Sequence, residues 1–156
     1  MNDVISAKGT IKVIITHLDG KTEEINFNNQ ILTLGKQAMT SSLANNIGGF
    51  FNFYINRMIF GNSGTVGGVP RVVDASRTGL FGPTLISKSI VSSVDATTGT
   101  NLTLTAVIAF SELVGSVINE MAILTADGNA FSMATFGDLT KSSTTQLTFN
   151  WQLSFI

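Results

Sequence analysis

The chain contains no cysteine and little charge. With no cysteine among its 156 residues, disulfide bonds and thiolate metal sites are excluded, while the redox compartment stays open. Asp, Glu, Lys and Arg make up 12% of the sequence, about half of the usual share of roughly 25%. The formal net charge is −1, and no basic run is present. A nucleic acid or an anionic membrane is therefore a poor candidate partner.

Targeting and membrane signals are also missing. The first ten residues, MNDVISAKGT, lack the basic start and the apolar core of a secretory signal. No apolar run approaches the ~20 residues of a membrane span. A chain of this length buries about 70% of its unfolded surface as one unit. We therefore expect one soluble domain, residues 1–156, made in the cytoplasm of its host cell.

Uncharged polar residues take the place of charged ones. Ser, Thr and Asn total 47 residues and must supply much of the polar surface. This is either the composition bias of a β protein or the mark of a surface that packs against other subunits, where charged residues are depleted. Composition alone favours neither interpretation over the other.

Two apolar segments joined at Asp127-Gly128 form the centre of the predicted fold. Residues 117–136 read VINEMAILTADGNAFSMATF. An Asp-Gly pair between apolar runs predicts a hairpin with a type I′ turn. The first strand is interrupted only by Asn119 and Glu120, which predicts that it is buried at the centre of a sheet.

The rest of the chain reads as short strands and one helix. Residues 144–156 alternate Leu, Phe and Trp with Thr, Asn, Gln and Ser, which predicts a strand with one buried face. The other predicted elements are strands within residues 8–18, 21–27, 50–60, 84–94 and 101–110, a helix within 30–46 and a flexible loop at 61–70. This order, with turn signals about every ten residues, indicates an antiparallel β-sandwich or jelly-roll-like barrel with one short helix.

Catalytic and metal-binding groups are sparse. The one histidine, His17, stands beside a turn, and no G-x-S-x-G nucleophile motif is present, so we expect a structural role for it. The remaining oxygen ligands suit calcium, and Asp127, Gly128 and Asp138 are the candidates to bind it. A hairpin turn explains the first two without a metal. We expect no metal, no cofactor and no enzymatic activity.

Two glutamates are the candidates for a catalytic carboxylate pair. They are Glu112 and Glu120, but nothing in the sequence places them across a cleft. Glu120 lies in an apolar strand, where a carboxylate needs a charge partner or several backbone donors. We expect Glu120 to be structural, in an interior or intersubunit salt bridge with Arg57, Arg71 or Arg77.

Two further segments have both a structural and a functional interpretation. Residues 61–68, GNSGTVGG, look like a phosphate cradle but lack its G-K-[ST] ending, which favours a mobile loop or an interface arm. The aromatic residues at 50–54 suit stacking on bases or sugars, but alternating Phe in a strand is more typical of a core. Partner contacts are expected at 61–70, at 71–77 and at the N-terminus, because these segments are polar and are not needed to form the hydrophobic core. The individual candidates are Asn62, Ser63, Thr65, Val66, Val69, Arg71 and Arg77.

The order of these segments resembles a group of small virion structural proteins of tailed bacteriophages. The opening block is KGTIKVIITHLDGKTEEINFNNQ, followed by a helix with Asn29, Gly35 and Lys36 and by INRMIFGNSGT, a strand that runs into a glycine-rich loop. The closing block is similar to the pattern E-x-G-L-F…D-G…L-F-A…F…K…L-x-V-x-W of those proteins and of tail-collar fibre domains. Its places are filled by Glu120, Ala122-Ile123-Leu124, Asp127-Gly128, Phe131, Phe136, Lys141, Leu147 and Trp151, and Ala122 or Met121 stands where the pattern has glycine.

The resemblance implies a β-rich module that self-associates, often as trimers, and attaches to a capsid or a tail. We therefore expect a non-enzymatic capsid decoration (cement) subunit in the virion, which binds the major capsid protein lattice and stabilises it. The capsid surface is favoured over the tail. A tail, collar or fibre-base component is the first alternative. A carbohydrate-binding module, which depends on fold-level analogy and exposed aromatics, is the second.

Overall fold

The strands and the helix follow the predicted order. A computed structural model describes residues 6–43 and 54–155, so the expectations for residues 44–53 and for the extreme N-terminus lie outside the described residues. The elements are β1 Ala7–His17, β2 Thr22–Asn28, β3 Gln30–Ile31, α1 Thr33–Leu43, β4 Ile55–Gly61, β5 Thr65–Val66, β6 Val69–Pro70, β7 Ile86–Ser89, β8 Val91–Val94, β9 Asn101–Ile108, β10 Val117–Thr125, β11 Ala130–Thr140 and β12 Thr145–Phe155.

Two five-stranded antiparallel sheets pack face to face. Sheet A has the strand order β2-β1-β12-β9-β8, and sheet B has the order β3-β11-β10-β4-β7. Strands β5 and β6 form a separate two-stranded hairpin. This architecture confirms the predicted mainly β, antiparallel sandwich with one short helix. In the described part of the chain, no helix is long and apolar enough to span a membrane.

Alternating positions of sheet A form one wall of the core. Leu147, Phe149, Trp151 and Leu153 of β12 are at most 1% exposed. Because successive residues of a strand point to opposite faces, the Thr, Asn and Gln residues between them form the outer face of sheet A. Across the core, the Phe60 ring of sheet B lies 4.6 Å from the Phe149 ring. The prediction for the closing strand is confirmed.

The central Asp-Gly turn differs from the predicted type. Gly128 has a φ of 91°, but Asp127 does not have a positive φ. The Gly128 N–H donates to the Thr125 carbonyl at 2.9 Å, and the Thr125 N–H donates to the Asn129 carbonyl at 3.0 Å. This is a type I turn closed by a glycine bulge, and the type I′ prediction is wrong because only one residue takes the left-handed conformation.

The type I′ turn occurs instead in the segment predicted to be a flexible loop. Gly67 and Gly68, which join β5 to β6, have φ values of 57° and 78°. Positive φ at both central positions of a two-residue hairpin is typical of type I′. The segment 61–70, predicted to be a loop, thus contains a paired hairpin, because these two glycines specify a tight turn.

The predicted strand at 84–94 consists of two strands in different sheets. Strand β7 pairs with β4 in sheet B, and β8 pairs with β9 in sheet A. The chain crosses between the sheets at Ile90, whose N–H donates to the Asn56 carbonyl at 3.3 Å. These nine or so residues therefore border one flank of the sandwich. On the opposite flank, the rings of Phe27 and Phe136 stack 4.5 Å apart.

Candidate functional site

The outer face of sheet B is covered by the chain itself. Residues 62–85, here called the covering segment, connect β4 to β7 and include the β5–β6 hairpin. Their apolar side chains Val73 and Phe81 pack against a buried cluster that includes Ala122 of β10 and Met133 of β11, which are both 0% exposed. Sheet B is therefore buried on both faces, which explains the almost uninterrupted apolar sequence of β10.

Glu120 holds the covering segment against the sheet. Its side chain is fully buried. Its carboxylate oxygens accept hydrogen bonds from the backbone N–H groups of Phe81 at 2.7 Å, Ser63 at 3.1 Å and Gly82 at 3.3 Å. Hydrogen bonds to a carboxylate are stronger than those between neutral groups, and here they join two distant parts of one loop to a single strand.

Among the described residues, the interior salt bridge expected for Glu120 does not form. None of the described ion pairs includes Glu120 or the three arginines proposed for it, Arg57, Arg71 and Arg77. The Arg77 guanidinium lies over the Phe81 ring, 3.7 Å from its centroid, and donates to two backbone carbonyls of the same loop at 2.9 and 3.2 Å. The Arg71 guanidinium lies 4.8 Å from the centroid of that ring. The backbone donors take the place of the expected cation.

A β-bulge turns Asn119 toward the same segment. Neighbouring residues of a regular strand point to opposite faces, but the register of β10 against β11 shifts just before Glu120. The Asn119 Oδ1 accepts from the Gly64 N–H at 2.7 Å, and its Nδ2 donates to Thr65 Oγ1 and Asp138 Oδ1, each at 2.9 Å. Hydrogen bonds from Asn119 and then Thr65 hold the pKa of Asp138 below its ordinary value. Asn119 and Glu120 thus anchor the covering segment together.

The close approach of these anchors requires glycine. A Cβ atom on Gly64 would lie 2.3 Å from the Asn119 carbonyl oxygen and 2.7 Å from the Glu120 Cβ. A Cβ atom on Gly61 would lie 2.5 Å from Glu120 Oε1. Close packing of the backbone on the anchors and the tight turn together explain the glycine-rich sequence that looked like a phosphate cradle.

The anchored segment presents an exposed apolar tip. Val66 and Val69, which face each other across the β5–β6 hairpin, are 62% and 67% exposed, and these two residues are called the valine tip below. Val72, farther along the segment, is 91% exposed. The Thr135 hydroxyl of β11 donates to the Arg71 carbonyl at 2.6 Å, two residues beyond Val69. The tip is therefore held to sheet B near both of its ends.

The seven residues predicted for partner contacts fall into two groups. Asn62, Val66, Val69 and Arg71 are exposed, while Ser63, Thr65 and Arg77 are half-buried and take part in holding the covering segment. Sequence reasoning assigned no role to Asn119 or to Phe81. The signal for Asn119 is its place beside Glu120 in an apolar strand. Nothing in the sequence around Phe81 distinguishes it from an ordinary turn.

The other predicted polar candidates have separate partners. The His17 Nε2 lies 2.8 Å from Glu23 Oε1 at the edge of sheet A. Asp127 and Asp138 lie at opposite ends of β11, so they do not share a calcium ion. Among residues 6–43 and 54–155, no group of three His, Asp or Glu side chains is placed to hold a metal.

A second buried charge lies where the chain passes between the sheets. Lys141, between β11 and β12, is fully buried, and its Nζ donates to the carbonyls of Ser142 at 2.6 Å and Phe110 at 3.0 Å. Burial lowers the pKa of Lys141, and the nearby Glu112 partly offsets this effect. Glu112 accepts from Lys88 Nζ at 2.7 and 2.8 Å and from a backbone N–H at 2.8 Å, which hold its pKa below the ordinary value. Glu112 therefore does not pair with Glu120.

Comparison with protein family models, curated proteins and solved structures finds no match for this chain. The resemblance to tailed-bacteriophage virion proteins therefore stays a prediction.

Proposed function

We propose that this chain is a non-enzymatic capsid decoration subunit of a tailed bacteriophage, which binds the lattice of the major capsid protein and stabilises it. The observation that carries the proposal is the valine tip, an apolar patch fixed to sheet B by Glu120 and Asn119. Contiguous apolar surface that is exposed on a soluble protein is typical of contact sites, and Val66 and Val69 lie opposite each other in the hairpin. A contact surface that is already ordered loses less conformational entropy on binding than a flexible one.

The composition of the surface supports the same proposal. Charged residues make up 12% of the chain, and charges are depleted where subunits meet. Each tip offers only a small contact. A capsid repeats that contact at every lattice position, and linked weak contacts gain strength through multivalency. The resemblance described above supports a virion location independently of the tip.

The test is co-sedimentation of the purified protein with expanded, undecorated capsids. The wild-type chain is expected to sediment with the capsids, and the double variant Val66→Ser/Val69→Ser is expected to lose this binding. Val114→Ser is the matched control, because Val114 is a 52% exposed valine outside the covering segment. Absence of wild-type co-sedimentation at saturating concentration would overturn the proposal, as would equal binding by the double variant.

A tail, collar or fibre-base location uses the same surface against a different virion protein. Immunolabelling of intact particles separates the locations, since a decoration subunit labels the whole capsid and a tail component labels one vertex. Label confined to one vertex would replace the capsid assignment with the tail assignment and leave the role of the valine tip intact.

A further inference from the structure

The two edges of sheet A are protected to different degrees. Edge strand β2 carries Glu23 and Glu24, which pair with His17 at 2.8 Å and Lys12 at 3.2 Å. Charged side chains on an edge strand discourage pairing with another chain. The other edge strand, β8, reads Val-Ser-Ser-Val and contains no charge and no proline. All four of its residues are exposed, so β8 has none of the protection found on β2.

The hydrogen-bond register shows which backbone groups of β8 face outward. The Asp95 N–H donates to the Asn101 carbonyl at 2.9 Å, and β8 continues this antiparallel register with Ser93 opposite Thr103. Hydrogen-bonded and non-hydrogen-bonded pairs alternate along an antiparallel ladder. Ser92 and Val94 therefore direct their N–H and C=O groups away from β9, toward the open edge. Together they offer two donors and two acceptors.

We propose that β8 pairs with β8 of a second copy of this chain, antiparallel and about a two-fold axis at Ser93. In this register Ser92 of each copy faces Val94 of the other, so all four outward backbone groups on each strand gain partners. Pairing of two identical strands is self-complementary and closes as a dimer. The acidic residues on β2 disfavour the corresponding pairing at the other edge.

The side chains of β8 fit the same arrangement. Val94 is 62% exposed and lies on the inner face of sheet A, because it pairs with Leu102. In the proposed register Val94 of the second copy enters beside Ser92. Ser92 borders a cavity of about 280 Å³ whose described lining includes Leu102 and Phe155. The incoming valine thus meets apolar side chains. This pairing is independent of the proposed capsid binding.

A cysteine cross-link tests the register directly, since the chain has no native cysteine. Across the proposed axis the two Ser93 residues form a non-hydrogen-bonded pair, with Cα atoms about 4.5 Å apart. Disulfides span Cα separations of about 4.4 to 6.8 Å. With oxidised glutathione as the oxidant, Ser93→Cys is expected to become a disulfide-linked dimer on a non-reducing gel. Ser92→Cys is the matched control, because its partner is Val94, and it is expected to stay monomeric.

Sedimentation velocity provides a second readout on the unmodified surface. Four paired residues bury far less than the ~1,200 Å² of a standard interface, so we expect a dimer whose population rises steeply with protein concentration. Ser92→Pro removes one outward N–H and leaves the bonds to β9 in place, so its circular dichroism spectrum is expected to stay native while the dimer is lost. A trimer, a monomer at near-millimolar concentration, or equal cross-linking of Ser92→Cys and Ser93→Cys would overturn the proposal.

Discussion

The two sheets of the sandwich differ most on their outer faces. The outer face of sheet A is open and consists largely of uncharged polar side chains, such as Thr103, Asn150 and Gln152. The outer face of sheet B is covered by residues 62–85 and carries the fully buried Glu120. A polar group on the open face is satisfied by water. A polar group on the covered face must find a partner in the protein, and for that reason it becomes an anchor.

The first prediction contrasts one polar residue from each outer face. Glu120→Ala leaves three backbone N–H groups without their acceptor. Since each buried, unsatisfied group costs about 1–3 kcal/mol, we expect a loss of about 4 kcal/mol in the free energy of unfolding. Gln152→Ala on the open face is the control and is expected to change that free energy by about 0.5 kcal/mol or less. Urea denaturation of both variants measures the difference.

Equal losses for the two variants would show that the covering segment is not held by Glu120. The same variant also tests whether the covering segment opens locally while the rest of the protein stays folded. If the covering segment opens locally in Glu120→Ala without global unfolding, amide exchange at Phe81 and Gly82 should accelerate while exchange in β12 stays slow. Acceleration spread evenly over both sheets would contradict the anchoring role.

The open face could be predicted from the sequence, because apolar and polar residues alternate along a strand that has one buried and one solvent-exposed face. In β12 the alternation of Phe149 and Trp151 with Asn150 and Gln152 fixes both the strand and its buried face. The covered face gives no such signal. Strand β10 is apolar on both sides, and its sequence shows that something covers it without showing what.

The hydrogen-bond donors to Glu120 could not be predicted from the sequence for a different reason. A buried carboxylate needs either a cation or several donors, and the sequence offers three arginines as visible cations. The actual donors are backbone N–H groups, which every residue except proline has, so they leave no mark on residue type. The glycine-rich run at 61–68 was ambiguous as well. Gly64 lets the backbone pack closely on β10, and Gly67 adopts a positive φ. The sequence shows glycine at both positions and does not distinguish these two structural reasons.

The second prediction examines the fit between the covering segment and sheet B. Gly64→Ala places a Cβ atom 2.3 Å from a backbone oxygen of β10, and because backbone cannot yield as a flexible side chain does, we expect a loss of about 2–3 kcal/mol. Gly79→Ala is the matched control within the same segment, since a Cβ atom there meets no atom within 4 Å. Thermal unfolding followed by circular dichroism compares the two. A Gly64→Ala variant as stable as Gly79→Ala would mean that the segment lies farther from the sheet.

The third prediction has the smallest expected effect and compares an ion pair at the junction of the sheets with one on the open face. Hydrogen bonds from Lys88 lower the pKa of Glu112 from its ordinary 4.5. The ionised form is therefore favoured by folding, and its stabilisation is present above pH 4.5 and is lost as the pH falls through the lowered pKa. Glu112→Gln should cost about 1 kcal/mol at neutral pH and should weaken the loss of stability between neutral and acidic pH.

Glu24→Gln is the comparison variant. It breaks the exposed pair with Lys12 on sheet A, where both side chains are about half exposed. Surface pairs contribute little, so Glu24→Gln should change the free energy of unfolding at neutral pH by about 0.5 kcal/mol or less. Urea denaturation at neutral pH and across the acidic range measures these effects. Equal losses for the two variants at neutral pH, or a wild-type pH dependence in Glu112→Gln, would contradict the comparison.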